Sequence, residues 1–416
     1  MLVYVINQNG NPLMPCKPSK ARKLLRDGKA KVVRREPFTI KLKWLATEYT
    51  QPLTLGIDSG SKTIGSAVRD QDNQVYYLSE IKLRNNIKSK LDTRRMYRRT
   101  RRARKTRYRK ARFLNRKNSI KKDRYSPTLR SKFNSLIKEL WFVSRILPIK
   151  NLIIETGTFD VHALHNPNVI KHPWLYQKGL KFGYYNTKQY ILSRDNYTCQ
   201  YCKGKSKDTR LNVHHIVHRS QGGTDLPNNL ITLCKTHHDE LHNGLIKLTK
   251  KHVKTLNLNH ATHMNVLQSM IRKYISNYTE TYGYITKVIR EYFNIPKTHC
   301  YDAVCVEITN PKLPTLRTNK IIYKSCISKS RYQQTWGIRS EKKYPKSKVF
   351  GFKTLDKVLY QNIKCFIKGT MSTGYYILSD IFGNKINFKP MAKPSTMRRL
   401  SARKSWIMTE VLIPST

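Results

Sequence analysis

Short alternating runs dominate both ends of the chain, and longer helical stripes sit between them. LVYVIN alternates as a half-buried strand, and NGNPLMPCKP is rich in turn formers. Ser19 is placed to cap a helix through Leu25, with Gly28 as its stop. KAKVVRREPFTIKL reads as one or two strands, and PLTLGIDSGSKTIGSAV as an apolar strand ending in Asp58, a Gly-Ser turn and a second strand. SPTLRSKFNSLIKELWFVSRIL predicts an amphipathic helix started by Ser126 and Pro127, and NLIIETGTFD a buried strand ending at Glu155. The segment around 170–190 has weak periodicity. ATHMNVLQSMIRKYISNY is again helical, and His299 and Asp302, three apart after Pro296, share one face of a helix's first turn. Beyond residue 310, GFKTLDKVLY, CFIKGTMSTGYYILS and DIFGNKINFK predict a small twisted sheet or barrel.

Charge changes the picture. The 416 residues carry 81 Lys and Arg against 25 Asp and Glu, a formal net charge of +56. Self-repulsion of that size disfavours a lone compact chain, so a polyanion is the expected partner. Residues 82–124, with RRMYRRTRRARKTRYRKARFLNRK, are about half Lys and Arg and lack the Glu that laces a solvated helix. Good helix formers without Gly or Pro predict one long helix there. Its Arg94, Arg95, Arg98, Arg99, Arg101, Arg102, Arg104, Arg107, Arg109 and Arg112 suit bidentate phosphate contacts, with Tyr97 placed to stack or to pack. No leader-like segment and no transmembrane-length apolar run appear, and the scattered cysteines favour a reducing interior. The expectation is a soluble, cytoplasmic protein.

The densest chemistry lies between Cys199 and His242, where three of the eight Cys and six of the thirteen His fall within 44 residues. Cys199, Cys202, Cys234 and His237 form a C-x-x-C and a C-x-x-H across a hairpin-sized gap, a pattern for a closed tetrahedral zinc site. His214, His215, Asn229, His238 and His242 remain, a set suggesting hydrolysis; His238 and His242 lie one helical turn apart.

These motifs, in this order, resemble the IscB family of transposon-encoded, RNA-guided nucleases. NPLMPCKPSKARKLLRDGKAKVVRREPFTIKL resembles its PLMP opening, the arginine-rich run its bridge helix, and WLYQKGLKFGY a further IscB segment. Asp58, Glu155, His299 and Asp302 match the split RuvC nuclease motifs, and VHHIV with PNNL resembles the HNH, or ββα-metal, nuclease motif. The resemblance covers about residues 4 to 309. It implies an α/β multidomain chain: a split RNase H-like (RuvC) mixed-sheet domain with an inserted ββα-metal HNH domain, an arginine-rich bridge helix, and small basic N- and C-terminal modules. The boundaries expected are 1–50 for the PLMP-like module, 51–82 for RuvC-I, 83–124 for the bridge helix and 125–185 for RuvC-II with its linker. HNH would take 186–248, RuvC-III 249–309 and a target-adjacent-motif module 310–416.

The implied chemistry is phosphodiester hydrolysis at two sites. In-line cleavage with two divalent ions needs several hard oxygen ligands. Asp58 would bridge two Mg²⁺ ions, Glu155 and Asp302 would flank them, and His299 would be ligand or general base. In HNH, His215 would be general base and Asn229 would orient that His or the hairpin. His214, His238 and His242 would hold one Mg²⁺-class ion, although imidazole also suits other metals. A structured guide ωRNA and a double-stranded DNA target would be the partners, with HNH cutting the target strand and RuvC the non-target strand in a monomeric ribonucleoprotein without membrane contact. Two other readings stay open: an unguided HNH/RuvC-type endonuclease of homing or junction-resolving kind, and a catalytically idle RNA-binding factor.

Overall fold

The N-terminal alternation folds into β1 (Val3–Ile6), β2 (Pro12–Cys16), α1 (Pro18–Arg26), β3 (Ala30–Arg35) and β4 (Phe38–Leu42). They form a four-stranded sheet of order β2-β1-β4-β3. Its core is Val3, Val5, Leu13, Ala21, Ile40 and Leu42. The cap expected at Ser19 is corrected: Lys17 is the N-cap and Pro18 the first helical residue, because proline's fixed φ suits that position. Gly28, at φ +67, follows the helix end as expected. This computed structural model describes residues 2–103, 124–179, 181–218, 225–248, 258–308, 310–328, 351–371 and 373–413. Arg104, Arg107, Arg109 and Arg112 of the expected long helix lie outside them.

Next come β5 (Leu53–Asp58), β6 (Thr63–Arg69), β7 (Gln74–Lys82), α2 (Ile87–Ala103), α3 (Pro127–Ser144) and β8 (Ile149–Thr156). Strand β5 is buried at every position, as a strand covered on both faces must be. Ser126 caps α3, its side chain accepting a hydrogen bond from the Leu129 N–H. Leu129, Phe133, Leu136, Leu140 and Val143 recur at helical spacing on the buried face of α3 and pack with Leu53, Leu55, Ile57 and Val68 in the main core. Each such side chain contributes about 1.5–3 kcal/mol on burial. Among these apolar groups α3 also buries Glu139, whose Oε1 accepts from Ser66, Tyr77 and Ser79 at 2.8–2.9 Å.

Two compact units divide the chain: Met1–Gly157 with His263–Thr416, and Thr158–Thr262. The second begins with short helical turns, then has α4 (Thr187–Arg194), β9 (Leu211–His215), β10 (Leu230–Cys234) and α5 (Lys235–His242). β9 and β10 pair antiparallel with His214 opposite Ile231, and α5 follows directly, giving a ββα order. Its small core gathers Cys199, Ile231, Leu233 and Cys234.

The first unit resumes within α6 (Asn259–Tyr274), then β11 (Thr279–Tyr282), α7 (Gly283–Tyr292) and α8 (His299–Cys305). Leu267, Met270 and Ile271 of α6 enter the main core. The remaining strands are β12 (Thr315–Leu316), β13 (Lys320–Cys326), β14 (Lys357–Tyr360), β15 (Ile363–Thr370), β16 (Tyr376–Ser379), β17 (Lys385–Ile386), β18 (Arg398–Ser401) and β19 (Trp406–Leu412). The main sheet is eight-stranded and mixed, ordered β11-β8-β5-β6-β7-β13-β19 with β12 also on β7. β11, β8 and β5 run parallel, while β5, β6 and β7 are antiparallel neighbours.

The expectation of one small module over 310–416 is corrected. β12, β13 and β19 extend the main sheet beyond β7, and β14–β18 alone make a separate five-stranded sheet. Pairing with β13 covers the β7 edge, which would otherwise expose unpaired backbone groups. Lys324 of β13 is fully buried and donates to Glu139 Oε2 at 2.5 Å, so the added strand also neutralises the α3 carboxylate. No helix among the described residues is long and apolar enough to cross a membrane.

Candidate active sites

β5 and β8 run parallel with Asp58 in register with Glu155, so two carboxylates stand on adjacent strands. α8 brings in the other two expected residues. It is capped by Thr298, whose side chain accepts from the Tyr301 N–H, and it begins at His299. The helix lies so close to the sheet that a Cβ on Gly65 would sit 1.8 Å from the His299 carbonyl oxygen, and one on Gly56 2.2 Å from that of Ala303. Only glycine permits that approach.

His299 Nδ1 lies 2.5 Å from Asp58 Oδ2, and this hydrogen bond raises the imidazole's pKa. Burial, then the charge of Asp58, pushes Glu155 up to about 7, and its Oε2 is buried without a hydrogen-bond partner. Asp302 is also raised, by burial and then by Asp58, and Arg290 Nε lies 2.9 Å from its Oδ1 as an ion pair. The three carboxylates thus face one another, with the Arg290 guanidinium and the His299 imidazole beside them. An orphaned carboxylate oxygen and raised acids fit a place for divalent ions. Arg290 was missed by the sequence reading, since nothing distinguishes it locally from other basic residues.

In the second unit, Cys199, Cys202, Cys234 and His237 offer ligand atoms all within 4.8 Å of one another, and so do His214, His238 and His242. Both sets could hold a metal ion; the acidic trio is not drawn together this tightly. Burial pushes the Cys202 thiol up, but hydrogen bonds from Ser206 and Cys199 outweigh it and bring it down to about 6. Ser206 Oγ lies 3.3 Å from both the Cys202 and Cys234 sulfurs, a bridging partner that spacing did not reveal. Burial, then neighbouring His238 and His242, pushes His214 down to about 4, leaving a neutral imidazole at pH 7. The His218 ring, also missed, lies 5.2 Å from that of His214.

His215 follows directly as the last residue of β9, close enough for its charge to bear on His214. Its Nε2 lies 2.7 Å from Asp225 Oδ1. Asp225 is the fourth residue the sequence reading missed; its only signal was an acid shortly before PNNL. Asn229 bonds the turn after β9: its Oδ1 accepts from the Val217 N–H and its Nδ2 donates to the Val217 carbonyl, both at 3.0 Å. On α2, Arg94, Arg95, Arg98 and Arg99 are exposed, whereas Tyr97 is buried and packs.

Residues 3–179 match the family described as RRXRR protein, whose name is spelled by Arg98-Arg99-Thr100-Arg101-Arg102, and residues 199–244 match HNH endonuclease. The chain resembles IscB. This IscB-like chain carries its HNH match over the segment that holds both metal-grade clusters. No curated protein matches it. Crystal structures of Streptococcus thermophilus Cas9 in complex with the AGAA and GGAA PAM align at 13% and 14% identity and TM-scores of 0.30 and 0.31. Each alignment covers 51% of this chain and 30% of that chain, so the chain spans under a third of the length of those proteins.

Proposed function

We propose that this IscB-like chain is an RNA-guided DNA endonuclease that cuts both strands of a guide-matched duplex from two separate sites. The pairing of His215 with Asp225 beside a three-imidazole cluster is the observation that supports hydrolysis most directly. In this reading Asp225 orients His215 and steadies the imidazolium formed when it takes a proton from the attacking water. Asn229 holds the turn that follows β9. An ion held by His214, His238 and His242 would supply positive charge to the departing oxygen. Cys199, Cys202, Cys234 and His237 would hold a structural zinc that steadies this small unit. This site is assigned to the target strand.

Asp58, Glu155 and Asp302 would hold two Mg²⁺-class ions that clamp the attacking and leaving oxygens of the non-target strand. His299 keeps Asp58 in place and is either a further ligand or the general base. The exposed arginines of α2 meet the phosphates of a structured guide ωRNA, and base pairing rather than protein contact selects the DNA. The working form is a cytoplasmic monomeric ribonucleoprotein.

Cleavage of a guide-matched plasmid tests the proposal. The wild-type ribonucleoprotein should linearise it, His215→Ala and Asp58→Ala should each nick opposite strands, and the double variant should do neither. Cutting without RNA would overturn the guided reading.

A further inference from the structure

A groove away from the acidic cluster runs between β3, α3 and the five-stranded sheet, all within the first unit, with a volume of about 1170 Å³. That exceeds the roughly 300–1,000 Å³ of a small-molecule pocket, which favours a polymer segment. Arg34, Arg35, Lys138, Arg145, Arg398 and Lys404 line it. Among the described residues Glu36 is the only carboxylate in the lining, and Lys357 and Lys364 already engage it. The lining therefore suits an anionic occupant, and the walls offer it more than charge. Trp141 is 64% exposed on one wall although it sits in a helix with ample apolar neighbours. The Arg145 guanidinium lies 5.4 Å from its ring centroid. Arg34 stacks on Phe142 at 4.5 Å, and its Nη1 is closed off from solvent with no hydrogen-bond partner.

An exposed indole with a guanidinium beside it, in a basic groove, offers an unpaired base a stacking surface with phosphate donors close by. Duplex DNA keeps its bases stacked until opened, whereas structured RNA presents loops and bulges from the outset. We propose that this groove holds an unpaired segment of RNA, with one base stacked on Trp141 and its phosphates on Lys138 and Arg145. The assignment rests on the RNA-bound reading above and adds a site to it, distinct from α2 and from both clusters.

The test uses the full chain and an eight-nucleotide oligouridine carrying one 4-thiouridine, irradiated and mapped by mass spectrometry. Adducts on the peptide that contains Trp141 are expected. Trp141→Ala should lower their yield about tenfold, and Trp141→Phe should keep most of it, in line with base–aromatic stacking. Unchanged thermal melting of both variants, expected for so exposed a side chain, shows that the loss is local. Adducts confined to the arginine-rich segment would overturn the groove. Equal yield with a thiothymidine-labelled oligothymidine would overturn RNA as the occupant in favour of single-stranded DNA. Guided cutting with no adduct at Trp141 refutes the groove alone; adducts in a chain that cuts without RNA refute the guided reading alone.

Discussion

In the second unit two of the groups that would face a cation lean toward the protonation state it needs, while burial raises the Cys199 thiol. His214 is neutral at pH 7, and Cys202 is drawn down to about 6 by its hydrogen bonds. In the first unit three carboxylates face one another, Glu155 is lifted to about 7, Arg290 pairs with Asp302, and His299 hydrogen-bonds Asp58. Soft nitrogen and sulfur ligands repel little, so they can converge to ligand distance unaided; hard anionic ligands cannot. The difference teaches that metal should matter to folding in one unit and to charge balance in the other.

Removing the thiolate cluster should break that comparison most severely. Cys234→Ser, or exhaustive chelation, is expected to make the second unit protease-sensitive while the main sheet keeps its melting transition; structural zinc is worth about 10–16 kcal/mol in zinc-finger peptides. Metal analysis of the untreated protein should find about one zinc per chain, and a resistant, zinc-free unit would contradict the reading.

Next in size, His215→Ala in an Asp58→Ala background should lower the remaining nicking rate by about 10²–10⁴-fold, the usual worth of a positioned base. Asp225→Asn in the same background should cost about ten- to a hundredfold, since orienting partners act through the group they hold. A neutral effect of Asp225→Asn would remove the residue from the site.

The smallest effect sharpens the comparison from the acidic side. The folded pKa of Glu155 is raised from 4.5 to about 7, so the folded chain binds that proton more tightly than the unfolded one. The protonated acid's contribution is present below 4.5 and is lost as pH climbs through 7. Without divalent ions the first unit should melt a few degrees lower at pH 8 than at pH 6, and Mg²⁺ should restore more at pH 8. Glu155→Gln should flatten both trends; an unchanged slope would sever the link to Glu155.

Local signals were legible. Ser126 and Pro127 mark α3, apolar runs mark β5 and β8, and the Cys and His spacing announced two clusters that the fold assembles. Asp225, Arg290, Ser206 and His218 were not, because each is an ordinary polar residue whose meaning comes from what the fold returns it to. The same holds for β13 and β19. Their alternation fits any small sheet, and only the open edge of β7 and the buried Glu139 decide where they pair.

The return of the chain through α6 has a further consequence. β8 and β11 are parallel neighbours, and such neighbours need a helical crossover whatever else lies between them. From His263 onward α6 already supplies it, so Thr158–Thr262 fills what would otherwise be the strand-to-helix loop of a βαβ unit. Closing a loop costs only slowly more as it lengthens, which makes this an undisruptive place to lodge an inserted unit. A chain joined from Gly157 to His263 by a short Gly-Ser linker should keep its main sheet and the Asp58 site. If the proposed two-site reading holds, cutting is modular in this sense: the inserted unit can be lifted out, or replaced by another fold, without rewriting the main sheet.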